Sequence, residues 1–139
     1  MASRALEALG RVPIFSELPQ RHLRRILRST ATYTYQDGAA AVMEGTTSEG
    51  FYVILDGTAK VIRRGRTVDH MSAGDFFGEI ALLDGGPRSA SVVADGPLTC
   101  LILLRKEFNA ILAQEPQVAL RVLRGATARL RRVDHSHTS

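Results

Sequence analysis

The sequence predicts one mainly β domain, an antiparallel sandwich or barrel with helices at both ends. Three observations carry this. Between about Thr30 and Leu104, glycine recurs at Gly38, Gly45, Gly50, Gly57, Gly65 and Gly74 between runs rich in Val, Ile, Tyr, Thr and Phe, as in short strands joined by tight turns. So many short strands without intervening helices point to antiparallel neighbours rather than parallel crossovers. On either side of this region apolar residues fall instead at helical spacing. The chain has 139 residues, 45% of them hydrophobic and 23% charged, which is the make-up of one globular domain and excludes most multidomain enzymes. A domain of this length buries roughly 68–70% of the surface its unfolded chain exposes, so its core needs no metal or disulfide staple.

The elements follow in order. Residues 1–29 read as helical: Leu6 and Leu9, closed by Gly10, suit a short helix, and Leu18-Pro19 breaks the chain before a second. There Leu23, Ile26 and Leu27 share one face, and Arg21, Arg24, Arg25 and Arg28 take the other. The barrel region, residues 30–104, holds strands at 32–35, 40–43, 51–55, 59–63, 67–71, 89–94 and 99–104. Arg64-Gly65 joins two of them as a hairpin, with Gly65 supplying a positive φ. Cys100, the single cysteine, cannot pair within the chain and reads as a small core residue in the apolar run Leu98 to Leu104.

Helix returns over residues 105–133. Phe108, Ile111 and Leu112 have helical spacing, and Pro116 suits the first position of a further helix, where its missing N–H costs nothing. In that last helix Ala119, Val122, Leu123, Ala126, Leu130 and Val133 form an apolar stripe opposite Arg121, Arg124, Arg131 and Arg132. Gly125 marks either a close-packing point or a bend. Residues 134–139 read as a disordered tail.

The net charge is +4, from 18 basic and 14 acidic residues, and it is unevenly spread. Residues 1–36 carry six Arg against two Glu and residues 116–139 five Arg against one Asp, whereas residues 37–115 hold seven basic and eleven acidic groups. The basic character belongs to the helical ends, which suit a solvated face or a partner or membrane surface, and arginine-rich codon usage gives the same composition. No run approaches the ~20 apolar residues of a membrane span, and the amino terminus, interrupted by Glu7, lacks the apolar centre of a secretory signal. A reducing cytoplasm is the expected setting. His22, His70, His135 and His137 lie on separate elements or in the tail, so no local spacing builds a metal cluster. With no phosphate-binding Walker loop, Gly-x-Ser-x-Gly elbow or cysteine nucleophile site, the expectation is a protein without catalytic residues, metal or cofactor.

One segment breaks the strand pattern: Phe77-Gly78-Glu79-Ile80-Ala81-Leu82-Leu83-Asp84-Gly85-Gly86-Pro87-Arg88-Ser89-Ala90-Ser91-Val92. Gly78 permits a backbone turn close to a ligand, and Ile80 to Leu83 can make one helical turn whose unpaired amides point back at it. Such amides attract phosphate. Gly85-Gly86-Pro87 reverses the chain, and Arg88, opening the next strand, can offer the same phosphate a two-pronged fork. Glu79, an acceptor only, suits a sugar hydroxyl. A surface ion pair between Glu79 and Arg88, worth about 0–1 kcal/mol, is the plain alternative for those two residues taken alone.

The whole run closely resembles the phosphate-binding cassette of cyclic nucleotide-binding domains, found in the catabolite activator family, in cAMP-dependent kinase regulatory subunits and in cyclic-nucleotide-gated channels. The similarity extends through VPIF at Val12 to Phe15, Glu44-Gly45, FYVILDG at Phe51 to Gly57, GDFFGE at Gly74 to Glu79, RKEF at Arg105 to Phe108 and RLR at Arg129 to Arg131. The resemblance implies a jelly-roll barrel, the antiparallel double-stranded β-helix, with N-terminal helices, two C-terminal helices and the cassette at 77–92. It implies a ligand site of Phe77, Gly78, Glu79, Ile80, Ala81, Arg88, Ser89 and Ala90. In it Arg88 meets the cyclic phosphate together with the amides of Ile80 and Ala81. Glu79 meets the ribose 2′-hydroxyl, and Ser89 the phosphate or base. Val61 would face the ligand from the barrel, Arg129 would reach toward the sugar, and Arg132, Val133 or Asp134 would cover the purine.

The implied ligand is cAMP, with cGMP as the alternative, and the implied role is a sensor that reports occupancy by moving its last helix. Its effector would be a separate protein or a domain outside this chain, since no DNA-binding domain follows Val133 and direct sequence-specific DNA binding is not expected. A homodimer through the last helix is compatible with this pattern. The competing expectation is a ligand-independent interaction or dimerisation module that uses the basic helices.

Overall fold

The computed structural model of the chain describes residues 2–47, 50–78 and 86–124. Helix α1 (Ala2–Gly10), a 3-10 turn (Pro13–Phe15) and helix α2 (Gln20–Arg28) lead into six strands. These are β1 (Ala31–Tyr35), β2 (Ala40–Val42), β3 (Gly50–Arg63), β4 (Arg66–Ser72), β5 (Phe76–Phe77) and β6 (Ser91–Leu104). Helix α3 (Arg105–Gln114) follows, and helix α4 begins at residue 116 and is described to residue 124. The sheet runs β1-β6-β3-β4, with β2 also on β6 and β5 on β3, and each pairing is antiparallel, as the unbroken succession of short strands implied.

Two pairs of expected strands are single bent strands. The runs at 51–55 and 59–63 are both β3, and those at 89–94 and 99–104 both belong to β6, which starts at Ser91 rather than Ser89. Gly57, read as a turn, is instead part of a bulge inside β3. Pairing of β3 with β6 shifts register between Ile54 and Asp56 and again between Asp56 and Thr58. Gly57 lies in that interval at φ +94°, and a Cβ there would collide with the Pro97 carbonyl. The bulge has a packing purpose: Tyr52 and Ile54 before it and Ala59 after it enter one core, although their parity along the strand differs. Gly57→Ala is therefore expected to cost about 1–3 kcal/mol, read as a lower urea midpoint at unchanged slope. Equal midpoints would show that the kink tolerates a side chain.

The sheet divides two cores between its faces. Tyr52, Ile54, Ala59, Val92, Ala94, Leu98 and Cys100 fill the inside of the barrel, where burial pushes the Cys100 thiol up to about 11 and leaves it a neutral packing group. Phe51, Val53, Leu101 and Leu103 face outward and are covered by Leu9, Val12, Ile14, Phe15, Leu23 and Ile26 from the amino-terminal segment and Phe108, Ile111, Val118 and Val122 from the last helices. The two basic ends of the sequence thus share one core. Polar contacts also join the amino-terminal segment to the carboxy-terminal helices and the residue between them. His22 Nδ1 lies 3.6 Å from Glu115 Oε1, Arg121 donates to the Glu17 carbonyl at 2.8 Å, and Arg25 donates to Gln114 Oε1.

The helical readings hold in most particulars. Helix α2 begins directly after Pro19, Pro116 opens α4, and Leu23, Ile26, Phe108 and Ile111 are buried. The Arg64-Gly65 hairpin has φ values of 53° and 76°, so both central residues, not only the glycine, are left-handed, as a two-residue turn of this hand requires. The stripe of α4 needs a correction: Val118 and Val122 are its buried pair, while Leu123 is 62% exposed. At 100° per residue Val118 and Val122 are 40° apart, and they leave Leu123 beyond the contact face. Ala126, Leu130 and Val133 of that stripe, like Gly125 and the tail, lie outside the described residues.

Candidate functional site

Arg88 enters the structure from a segment that hydrogen bonds position on both sides. Its amide donates to the Thr46 carbonyl at 2.9 Å and its carbonyl accepts from the Gly45 amide at 2.8 Å, so the loop after β2 grips this residue by its backbone. The Glu44 amide donates to Ser91 Oγ and the Glu44 carboxylate accepts from the Arg64 amide, both at 2.8 Å, tying the same loop to the β3–β4 hairpin tip. Arg63 Nε donates to the Ser89 carbonyl at 3.1 Å. Arg88 was expected to open a strand. It lies instead three residues ahead of β6, in a stretch whose backbone is fixed by the loop and the hairpin rather than by a ladder.

The side chain then turns inward. Arg88 is only 7% exposed, its Nη2 donates to the Gly50 carbonyl, and its guanidinium carbon stands 5.9 Å from the Tyr52 ring centroid. Burial lowers its pKa, and Tyr52 pushes the other way. A guanidinium seldom sits this deep unless paired, because desolvating a charge is costly unless an anion or strong hydrogen bonds offset it. Gly78 makes the room. It has φ +88°, and a Cβ there would run into the Arg88 guanidinium and approach the Gly50 carbonyl to 2.9 Å. A side chain at this position would fill the space that the guanidinium uses, which is a stronger reason for glycine than turn geometry alone.

The remaining expected residues are distributed as follows. Phe77 ends the two-residue strand β5, half-buried, its ring stacked on Tyr52 at 4.7 Å and 4°. Ser89 is exposed and Ala90 half-buried at the mouth of the same segment. Val61 is half-buried on β3, paired with Val92 of β6 and Asp69 of β4, and two residues from the buried Ala59 it shares a strand face with. Phe77, Gly78 and Arg88 are thus gathered at one end of the inner core. Glu79, Ile80, Ala81, Arg129, Arg132, Val133 and Asp134 lie outside the described residues. Among the described residues no group of three or more His, Cys, Asp or Glu is placed to hold a metal ion. No helix among them is long and apolar enough to cross a membrane.

Sequence reasoning missed Tyr52 and Gly50, the two residues that frame the guanidinium. Tyr52 lay inside the quoted FYVILDG run and read as one strand residue among several; its partner is Arg88, 36 positions on. The available signal was the adjacent aromatic pair Phe51-Tyr52, whose alternation sends one ring to each core.

Comparison with known proteins agrees with this arrangement. Residues 33–115 match the family described as Cyclic nucleotide-binding domain. The chain is 32% identical over 108 residues to a cAMP-dependent protein kinase regulatory subunit of Mucor circinelloides f. lusitanicus, covering 75% of this chain but only 25% of that subunit. It superimposes with a TM-score of 0.84 and 27% identity on the N-terminal domain of a transcriptional regulator from Streptomyces coelicolor A3(2), covering 95% of this chain and 96% of that one. The catabolite activator protein of Thermus thermophilus aligns with a TM-score of 0.72 and 29% identity, over 89% of this chain and 61% of that protein. The barrel is the jelly roll of these structures.

Proposed function

This chain belongs to the family of cyclic nucleotide-binding domains, and from that premise we propose that it binds cAMP against Arg88 and reports occupancy through its last helix. The observation that carries the reading is the buried guanidinium of Arg88, seated against Gly78 at the end of the barrel core. A cyclic phosphate supplies the anion that this burial favours, and the guanidinium fork can hold two of its oxygens. In this reading Glu79 accepts from the ribose 2′-hydroxyl, the amides of Ile80 and Ala81 complete the phosphate shell, and Ser89 adds a hydroxyl. Phe77, Gly78, Ala90 and Val61 line the pocket, while Arg129, Arg132 and Val133 approach from the last helix. The choice of cAMP follows the name of the kinase regulatory subunit relative; cGMP is the competing ligand. The role is a binding one, with the effector on another protein or domain.

The last helix shares its core, through Val118 and Val122, with the outer face of the sheet and the amino-terminal segment, and Arg121 ties it to the Glu17 carbonyl of that segment. A ligand shifts such a helix only by the difference in its affinity for the two arrangements. A thermal-shift series with cAMP, cGMP and AMP tests the reading. A ligand at 100 times its Kd stabilises by about 2.7 kcal/mol, which for a domain of this size raises the melting temperature by roughly 5–15 °C. The expected order is cAMP, then cGMP, with AMP inert; no shift with either cyclic nucleotide would overturn it. The second reading, an interaction or dimerisation module, draws on Leu120 and Leu123, 52% and 62% exposed on α4. It predicts a concentration-dependent dimer by light scattering with no response to nucleotide.

A further inference from the structure

We infer that Tyr52 is a positioning residue for Arg88: its ring sets where the guanidinium presents its donors, and so tunes ligand affinity without touching the ligand. This rests on the reading of Arg88 as the phosphate-holding residue. The Arg88 guanidinium carbon stands 5.9 Å from the Tyr52 centroid, inside the range of about 6 Å over which a ring face attracts a cation. Both groups are buried, where this attraction is least screened.

The ring is itself held. Phe77 stacks on it at 4.7 Å and 4°, and Tyr35, whose pKa is raised by its burial and by the neighbouring Tyr52, packs against the same cluster. At Gly50 a Cβ would come within 3.1 Å of the ring, and the carbonyl of that glycine accepts from Arg88. One residue thus clears the ring's edge and anchors the guanidinium. Tyr35, Tyr52 and Phe77 pack together as a platform, and Arg88 rests on it. This matters because arginine is rotamer-rich, and an anion that must freeze it forfeits affinity; a platform that freezes it beforehand avoids the loss. Phe51, the neighbouring aromatic, faces the outer core against Phe15 and cannot substitute.

The test is a double-mutant cycle by calorimetry with cAMP, on proteins verified as folded by circular dichroism. Tyr52→Phe keeps the ring face and is expected to stay within about threefold of wild-type affinity, while Tyr52→Leu loses about tenfold. In the Arg88→Ala background, Tyr52→Leu should cost nothing more, because a platform without its cation has no part to play. Wild-type affinity in Tyr52→Leu, or losses that multiply in the double variant, overturns the inference. An independent readout covers a Leu variant that does not fold: the Arg88 Nε–H resonance should be displaced upfield by the Tyr52 ring current in wild type and in Tyr52→Phe, and an undisplaced resonance overturns the inference. A wild-type protein that binds no cAMP, or an Arg88→Ala variant that binds it unchanged, removes the underlying reading and this inference with it. Binding that Arg88→Ala loses and Tyr52→Leu keeps removes the inference alone.

Discussion

Arg88→Ala is expected to weaken cAMP binding by about 2–5 kcal/mol, roughly 30-fold to several thousand-fold in Kd, without unfolding the domain. The affinity term is large because the phosphate loses two charge-assisted hydrogen bonds in a site shielded from water. The stability term is small and of either sign. Arg88 is 7% exposed, and burial already disfavours its charged form, so truncation relieves desolvation while removing the bond to the Gly50 carbonyl. Arg88→Lys separates charge from shape: it keeps one cation but no fork, and should fall between wild type and Ala. Isothermal calorimetry reads both variants. If Arg88→Ala binds as wild type does, the anion site lies elsewhere; if Lys restores full affinity, the fork geometry has no role.

How much of this was legible in the sequence depended on whether the determining contact was local. The Arg64-Gly65 hairpin, the break at Pro19 and the start at Pro116 are each decided within three or four residues, and each stands where expected. The family was legible for the same reason, since the cassette run is a contiguous pattern inside the matched residues 33–115. Gly57 was misread because a glycine in a bulge and a glycine in a turn look alike along the chain. Only the Pro97 carbonyl, 40 positions on, makes it a bulge. Leu123 was placed in the buried stripe because a helical period fixes relative directions but not the centre of the contact face, which the partners of Val118 and Val122 decide. The Phe51-Tyr52 alternation could place Tyr52 in the inner core, but the meeting of Tyr52 and Gly50 with Arg88 joins segments distant in the chain and left no local sign. His22, read as one isolated histidine, is buried against Glu115.

Phe15→Ala is expected to cost about 3–5 kcal/mol of folding stability, a large share of the roughly 5–15 kcal/mol available to a domain. Phe15 is fully buried, edge-on to Phe51 at 5.8 Å and 86° and tilted against Phe108 at 6.0 Å and 59°. Its three rings come from the 3-10 turn, from β3 and from α3, so truncation opens a cavity where the amino-terminal segment, the sheet and the carboxy-terminal helices meet. No one of these elements can relax into the cavity without leaving another, and a site that cannot collapse lies at the high end of the cost range. Phe15→Leu, which keeps most of the volume and loses the edge contacts, should cost about 1–2 kcal/mol. Urea titrations read both, and a loss below about 1 kcal/mol for Ala would mean that the three elements fold without this junction. The functional consequence separates packing from binding. Phe15 belongs to the outer core and Arg88 reaches the inner one, so Phe15→Leu, measured where it is fully folded, should bind cAMP with wild-type affinity while Arg88→Ala, stable and folded, does not. The opposite pairing would show that the helical junction, and not the barrel end, holds the ligand.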